Sequence, residues 1–239
     1  MLLFFLRHAD PIYSPDQLTP LGHRQAEALS KRLAAYGLDR IFCSTSNRAI
    51  QTAQPTCDLL KKDMTLLDWC NENHVWQELT SPIDDKGRLT WCFYHRPTVE
   101  RMTSPEVRAL GREWYTHPAF AGTRFGEGME RVRRECEAWM LSLGYRHDYE
   151  RGGYVVERPN DERVALFAHH GFGVAFLSCL LDIPYPEFSV RFDIGHSSMT
   201  VVNFEGREGL IFPKVLQLSN DSHLWREGLP TKYQNKIYF

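Results

Sequence analysis

The feature that most restricts this chain is a series of short apolar runs separated by stretches with helical spacing. Residues 2 to 6 are continuously apolar, the right length for a strand buried on both faces. Thr19 then offers an N-cap with Pro20 at the first helical position. Leu21, Ala26, Leu29, Leu33 and Ala34 follow near helical spacing, and Gly37 closes the stretch. Residues 40 to 43 read as a second strand. Ser46 caps a helix running through Ala49, Ala53 and Leu59, and Leu66-Leu67 reads as a third strand. Strand, helix, strand, helix at this spacing predicts an α/β fold with a mostly parallel central sheet flanked by helices.

From about residue 73 to 125 the alternation stops. Trp76, Trp91, Phe93, Tyr94, Trp114 and Tyr115 crowd this stretch together with Pro and His, which reads as a cap insertion in a single domain spanning residues 1–239. These rings have two readings: the wall of an apolar substrate pocket or, for most of them, the small core of the cap itself. Helical spacing returns between Gly128 and Leu143. Strands are expected at 154–156, 164–167, 199–204 and 214–218, with a helix from after Gly171 to Leu181.

A net charge of −2 gives no reason to expect a nucleic-acid or membrane-surface partner, although a local basic pocket can still hold an anion. No apolar run approaches the roughly 18 residues of a membrane span, and the apolar start of the chain lacks the basic flank of a signal peptide. The six cysteines form no C-x-x-C pair, which fits reduced thiols in a cytoplasmic protein.

Four separated segments carry chemistry. Arg7 and His8 end the first strand, where ligand crevices of open α/β sheets lie. A neutral imidazole there can attack phosphorus and split one displacement into two. Arg48 falls in the first turn of the helix capped by Ser46, and helix N-termini attract phosphate. His169, His170 and Gly171 lie at another strand-to-helix junction. Adjacent histidines raise a metal site, but no H-x-H or H-x-x-x-H spacing supports one. Glu72, at the entry to the insertion, is a candidate general acid. Each segment alone has a plainer reading, as a backbone-bonded histidine or a solvated surface charge.

Together these segments resemble the histidine phosphatase superfamily, the phosphoglycerate mutase-like branch 1. Residues 6–10 (LRHAD) are similar to its R-H-G-[E/Q/D] signature, 18–26 (LTPLGHRQA) to L-T-x-x-G-x-x-Q-A, and 44–53 (STSNRAIQTA) to S-x-x-x-R-A-x-Q-T-A. His170-Gly171 falls where the family carries a late H-G, 126–130 (GEGME) is similar to a G-E-S helix start, and 218–224 (LSNDSHL) to a terminal L-N-D-x-S-H-L. The resemblance implies that His8 accepts the phosphoryl group, that Arg7, Arg48 and His170 surround its oxygens, and that Glu72 is the acid and then the base, with Glu78 the fallback. It further implies a phosphomonoester hydrolase needing no metal and no cofactor and acting on a small phosphorylated metabolite. There are departures. Ala9 replaces a Gly, His169 stands where Ser or Thr is common, and His196 opens a segment where N-x-S-x-T is common. The G-x-W-E-G after the acid is missing, although Trp76 is near.

Two other functions remain in view. A phosphoglycerate mutase would carry an R-H-Y-G-like stretch after the acid, which this sequence lacks. A non-catalytic phosphate-binding module would have lost a core residue, yet Arg7, His8, Arg48 and His170 are all present. Composition and fold do not name the substrate.

Overall fold

The structure, a computed structural model, describes residues 1–231. Its central sheet has six strands: β1 (Leu2–Arg7), β2 (Arg40–Ser44), β3 (Met64–Leu67), β4 (Arg163–Ala168), β5 (Met199–Asn203) and β6 (Lys214–Asn220). Their spatial order is β6-β5-β1-β4-β2-β3. The pairs β1–β4, β4–β2 and β2–β3 are parallel, and β5 and β6 add antiparallel pairs at one side.

Both faces of this sheet are covered, as the unbroken apolar runs of β1 and β4 require. Phe4, Leu6, Ile41, Cys43, Ala165 and Phe167 point to one face. They pack with Leu29 and Leu33 of α1 (Pro20–Tyr36) and with Ala49 and Ala53 of α2 (Asn47–Leu60). Leu3, Phe5, Phe42, Val164 and Leu166 point to the other face. There they meet α4 (Phe125–Ser142) through Trp139 and α5 (His170–Leu180) through Phe172 and Phe176. The six cysteines are unpaired. Among the described residues no helix is long and apolar enough to cross a membrane.

Between the sheet edge and α4 the chain forms α3 (Glu72–Glu78), a hairpin of Thr80–Pro82 with Leu89–Trp91, and short helices at Arg96–Met102 and Pro105–Arg108. The aromatics of this stretch divide. Trp114 is fully buried, stacked on Tyr185 with ring centres 5.5 Å apart and edge-on to Phe120 at 5.0 Å. Trp76 and Tyr94 keep substantial exposure. The strand expected at 154–156 lies outside the central sheet, in a three-stranded antiparallel sheet of Leu210–Ile211, Gly153–Val156 and Tyr145–Asp148.

Candidate active site

Three parallel strands end side by side, and each hands the chain to a chemistry-bearing residue. β1 and β4 pair in register, Leu2 with Arg163 through Arg7 with Ala168. The residues that follow, His8 and His169, therefore lie next to each other, with ring centres 5.2 Å apart. β2 ends at Ser44, and α2 begins three residues later with Arg48 in its first turn.

His8 is fully buried and its backbone is held at both ends. Its N–H donates to Ala168 O (2.9 Å) and its carbonyl accepts from Ser197 N–H (3.1 Å). The next two residues are pinned as well: Ala9 N–H to Thr52 Oγ1 (3.0 Å) and Asp10 N–H to Gln25 Oε1 (2.8 Å). Gln25 and Thr52 belong to the two helix-start motifs read in the sequence, so those motifs grip the loop that follows His8. His8 Nδ1 lies 2.8 Å from the Ala9 carbonyl. A carbonyl only accepts, so Nδ1 carries the proton and Nε2 presents a lone pair. That Nε2 is buried and has no hydrogen-bond partner. Burial, with His169, Arg7 and Arg48 adding to it, holds the imidazole well below its usual pKa, so it is neutral at neutral pH.

Two guanidiniums flank this ring. Arg7 donates from Nη1 to Ile194 O (2.5 Å), and its Nη2 lies 2.7 Å from His196 Nε2, which must be the acceptor because a guanidinium has no lone pair. Arg48 donates to Asp16 Oδ1 (2.8 Å) and Glu72 Oε2 (3.3 Å). The Nε atoms of both arginines are buried without a partner. Two cationic donors and a neutral imidazole around one point suit a phosphoryl group.

Glu72 belongs to this cluster. Its Oε1 accepts from Gly171 N–H at 2.7 Å, and its Oε2 lies 3.7 Å from His169 Nδ1. Burial pushes its carboxyl up, but His169, Arg7, Arg48 and the Gly171 N–H outweigh burial and hold it below the usual carboxylate value. Glu78 lies elsewhere, paired with Arg131 at 2.7 Å.

The two adjacent histidines part company. His169 is fully buried, with Nε2 2.8 Å from Ser44 Oγ and 3.2 Å from Ser46 Oγ, and burial holds its pKa down at about 4. Ser46 therefore turns its hydroxyl to His169 and not to the start of α2. His170, expected from the sequence beside His8, begins α5 and points to Asp193, with Nε2 2.8 Å from Oδ1. Its ring meets Phe93 and Tyr94 at 5.4 and 5.9 Å. The histidine rings nearest His8 are those of His169 at 5.2 Å and His196 at 5.4 Å. The parallel register of β1 and β4 aligns His8 with His169, each six residues after the first residue of its strand. Asp16, which accepts from Arg48, lies between β1 and α1, outside every motif picked out in the sequence.

Ligand atoms of His8, Glu72 and His169 lie within 4.8 Å of one another, a set that can also hold a metal ion. Arg7 and Arg48 stand against that set, and their positive charge favours an anion over a cation there.

The histidine phosphatase superfamily (branch 1) model matches residues 3–212. No curated protein matches the sequence. Solved structures match its fold. A phosphoserine phosphatase from Entamoeba histolytica, in complex with 3-phosphoglyceric acid, is 16% identical over 93% of this chain and 98% of its own, with a TM-score of 0.59. A mycobacterial glucosyl-3-phosphoglycerate phosphatase with inorganic phosphate is 20% identical over 93% and 98%, also at 0.59. The alpha-ribazole phosphatase of Shigella flexneri is 18% identical over 92% and 97%, at 0.57. With the family model covering the strand ends, the helix starts and the residues around His8, this chain belongs to the histidine phosphatase superfamily, branch 1.

Proposed function

We propose that this protein hydrolyses small phosphomonoesters through a phosphohistidine on His8. The observation that carries this reading is the buried, unpartnered Nε2 of His8, set among Arg7, Arg48, His169 and Glu72. In the first step Nε2 bonds to phosphorus as the ester P–O bond breaks, and Glu72 protonates the departing oxygen. In the second, Glu72 takes a proton from water, whose oxygen displaces His8 from phosphorus. Arg7, Arg48 and His169 stabilise the charge on the three non-reacting oxygens. His169 thereby takes the part that the sequence motif gave to His170. No metal takes part, because the guanidiniums do the charge neutralisation that a cation does elsewhere. Residues 73–125 form a cap over the pocket: Glu72 opens α3, and Trp91 packs against Gly171, where an added Cβ would come within 2.3 Å of the indole.

Rapid-quench labelling into alkali, where phosphohistidine survives, tests this. A labelled enzyme is expected with chelator present, and none with His8→Ala. Labelling of that variant, or labelling that needs an added divalent metal, overturns the mechanism.

A further inference from the structure

Around the proposed phosphoryl site stand two kinds of group that transfer of phosphorus does not use. The first is aromatic. Tyr13, from the loop after β1, is 63% exposed, stands edge-on to His8 with ring centres 6.5 Å apart, and lies under the Arg48 guanidinium at 5.4 Å. Tyr94, from the turn after the cap hairpin, is 47% exposed and lies 5.9 Å from the His170 ring. The two tyrosines come from different elements and meet adjacent parts of the site, Tyr13 the His8 ring and Tyr94 the His170 ring. Behind Tyr94 the aromatic surface continues through Phe93, Trp91 and Trp76, with ring centres 4.7, 5.7 and 4.8 Å apart in turn.

The second is acidic. Asp193 is half exposed and lies beside the Ile194 carbonyl that holds Arg7. Its Oδ1 accepts from Ile194 N–H at 2.7 Å and pairs with His170 at 2.8 Å. Burial keeps His170 below its usual pKa despite Asp193, while the hydrogen bond from His170 keeps the Asp193 carboxyl below its own, so the pair carries a net negative charge at neutral pH. Asp16, behind Arg48, adds a second carboxylate on the Tyr13 side. In the proposed reaction both guanidiniums are engaged by the phosphoryl group and so are not free for a second anionic group.

From this we infer that the alcohol half of the substrate is a flat, aromatic, non-anionic group, selected by Tyr13 and Tyr94 and guarded by Asp193 against alcohols carrying a carboxylate. Stacking on the rings rewards a planar body, and a carboxylate next to Asp193 meets like charge. The inference rests on the phosphatase reading and names the substrate class of that site.

Benzyl phosphate, glycerol 3-phosphate and 3-phosphoglycerate all release alkyl oxygens, so they compare recognition with little difference in leaving-group reactivity. kcat/KM is expected to fall in that order, by about tenfold or more between the first and the last. Tyr94→Ala should narrow the preference for benzyl phosphate over glycerol 3-phosphate. Asp193→Asn should shift the ratio of 3-phosphoglycerate to benzyl phosphate about tenfold towards the carboxylated ester. The same esters titrated calorimetrically into His8→Ala protein give the ranking as affinities. Should no ester turn over, the hydrolase reading fails while the binding order still decides this one. A preference for 3-phosphoglycerate, or a ratio unmoved by Asp193→Asn, overturns it.

Discussion

At the scale of single residues, the two adjacent histidines make different contacts: His169 lies against His8, and His170 pairs with Asp193. Arg7, His8, Arg48 and Glu72 are gathered at the strand ends, whereas the H-G spelling drew attention to His170. Spelling alone does not say which side chain a strand end aims at the crevice; parallel register does, and it sets His169 beside His8. The consequence is measurable. His169→Ala should lower kcat by about 10²- to 10³-fold, the usual loss for one charge-stabilising donor. His170→Ala should leave kcat within about tenfold and act mainly through KM, since His170 faces Asp193 and the aromatic rim. Equal losses in the two variants would remove His169 from its assigned part. Glu72 offers a second test. In the free protein its carboxyl is held below the usual value and is ionised at neutral pH, so the proposed acid role requires a bound phosphoryl dianion to raise it. Glu72→Gln should therefore slow alkyl phosphates far more than an aryl phosphate, whose leaving oxygen needs little protonation. Equal slowing of both would exclude Glu72 from the first step.

At the scale of elements, legibility followed how local the determinant was. The long buried strands and the capped helices were readable because runs, caps and glycines lie within a few residues. Thr19 does accept from Gly22 N–H, and Gly37 does close α1 at a φ of +70°. The short pairings Pro11–Ile12 with Gln17–Leu18 and Thr80–Pro82 with Leu89–Trp91 were not, because strands of two or three residues leave no period to read. The start of α1 shows why its motif needs a glycine. A Cβ on Gly22 would lie 2.2 Å from the Asp10 carbonyl oxygen, and its φ is not the issue. Asp10 is the residue whose N–H Gln25 holds, so α1 and the His8 loop are packed backbone to helix. Gly22→Ala should cost about 1–3 kcal/mol of stability, the range for overpacking, and lower kcat as well because the loop that moves carries His8, the proposed nucleophile. Denaturant unfolding with parallel kinetics checks both; a variant as stable and active as the parent would mean the contact yields freely.

At the scale of the whole molecule, the chain concentrates neutral histidines in its interior. His8, His147, His169, His170 and His223 are all held below their ordinary pKa, burial being the leading cause for each. For His169 and His223 the folded value is about 4, against about 6.5 for an unfolded chain. Between those two values the unfolded chain binds protons that the folded protein refuses. Acid therefore favours unfolding: the stability these residues lend is whole above pH ~6.5 and is lost progressively as pH falls towards 4. Each such histidine contributes a slope of up to about 1.4 kcal/mol per pH unit in that window. The carboxyls of Glu72 and Asp193, held low in the folded state, act in the same direction but at lower pH. The melting temperature should thus be nearly flat from pH 8 to 7 and drop by several degrees between pH 6.5 and 5. His223 isolates one contribution without touching the pocket's reacting groups. It lies away from phosphorus, with Nε2 3.1 Å from Ser197 Oγ and Nδ1 3.4 Å from Arg32 Nη1. His223→Gln retains a polar group for Ser197 and cannot titrate, so its melting temperature should fall less steeply with acid than the parent's, whatever its value at pH 8. Parallel slopes for the two proteins would show that His223 is not held neutral, and a parent whose stability rises between pH 6.5 and 5 would reverse the sign for the whole set.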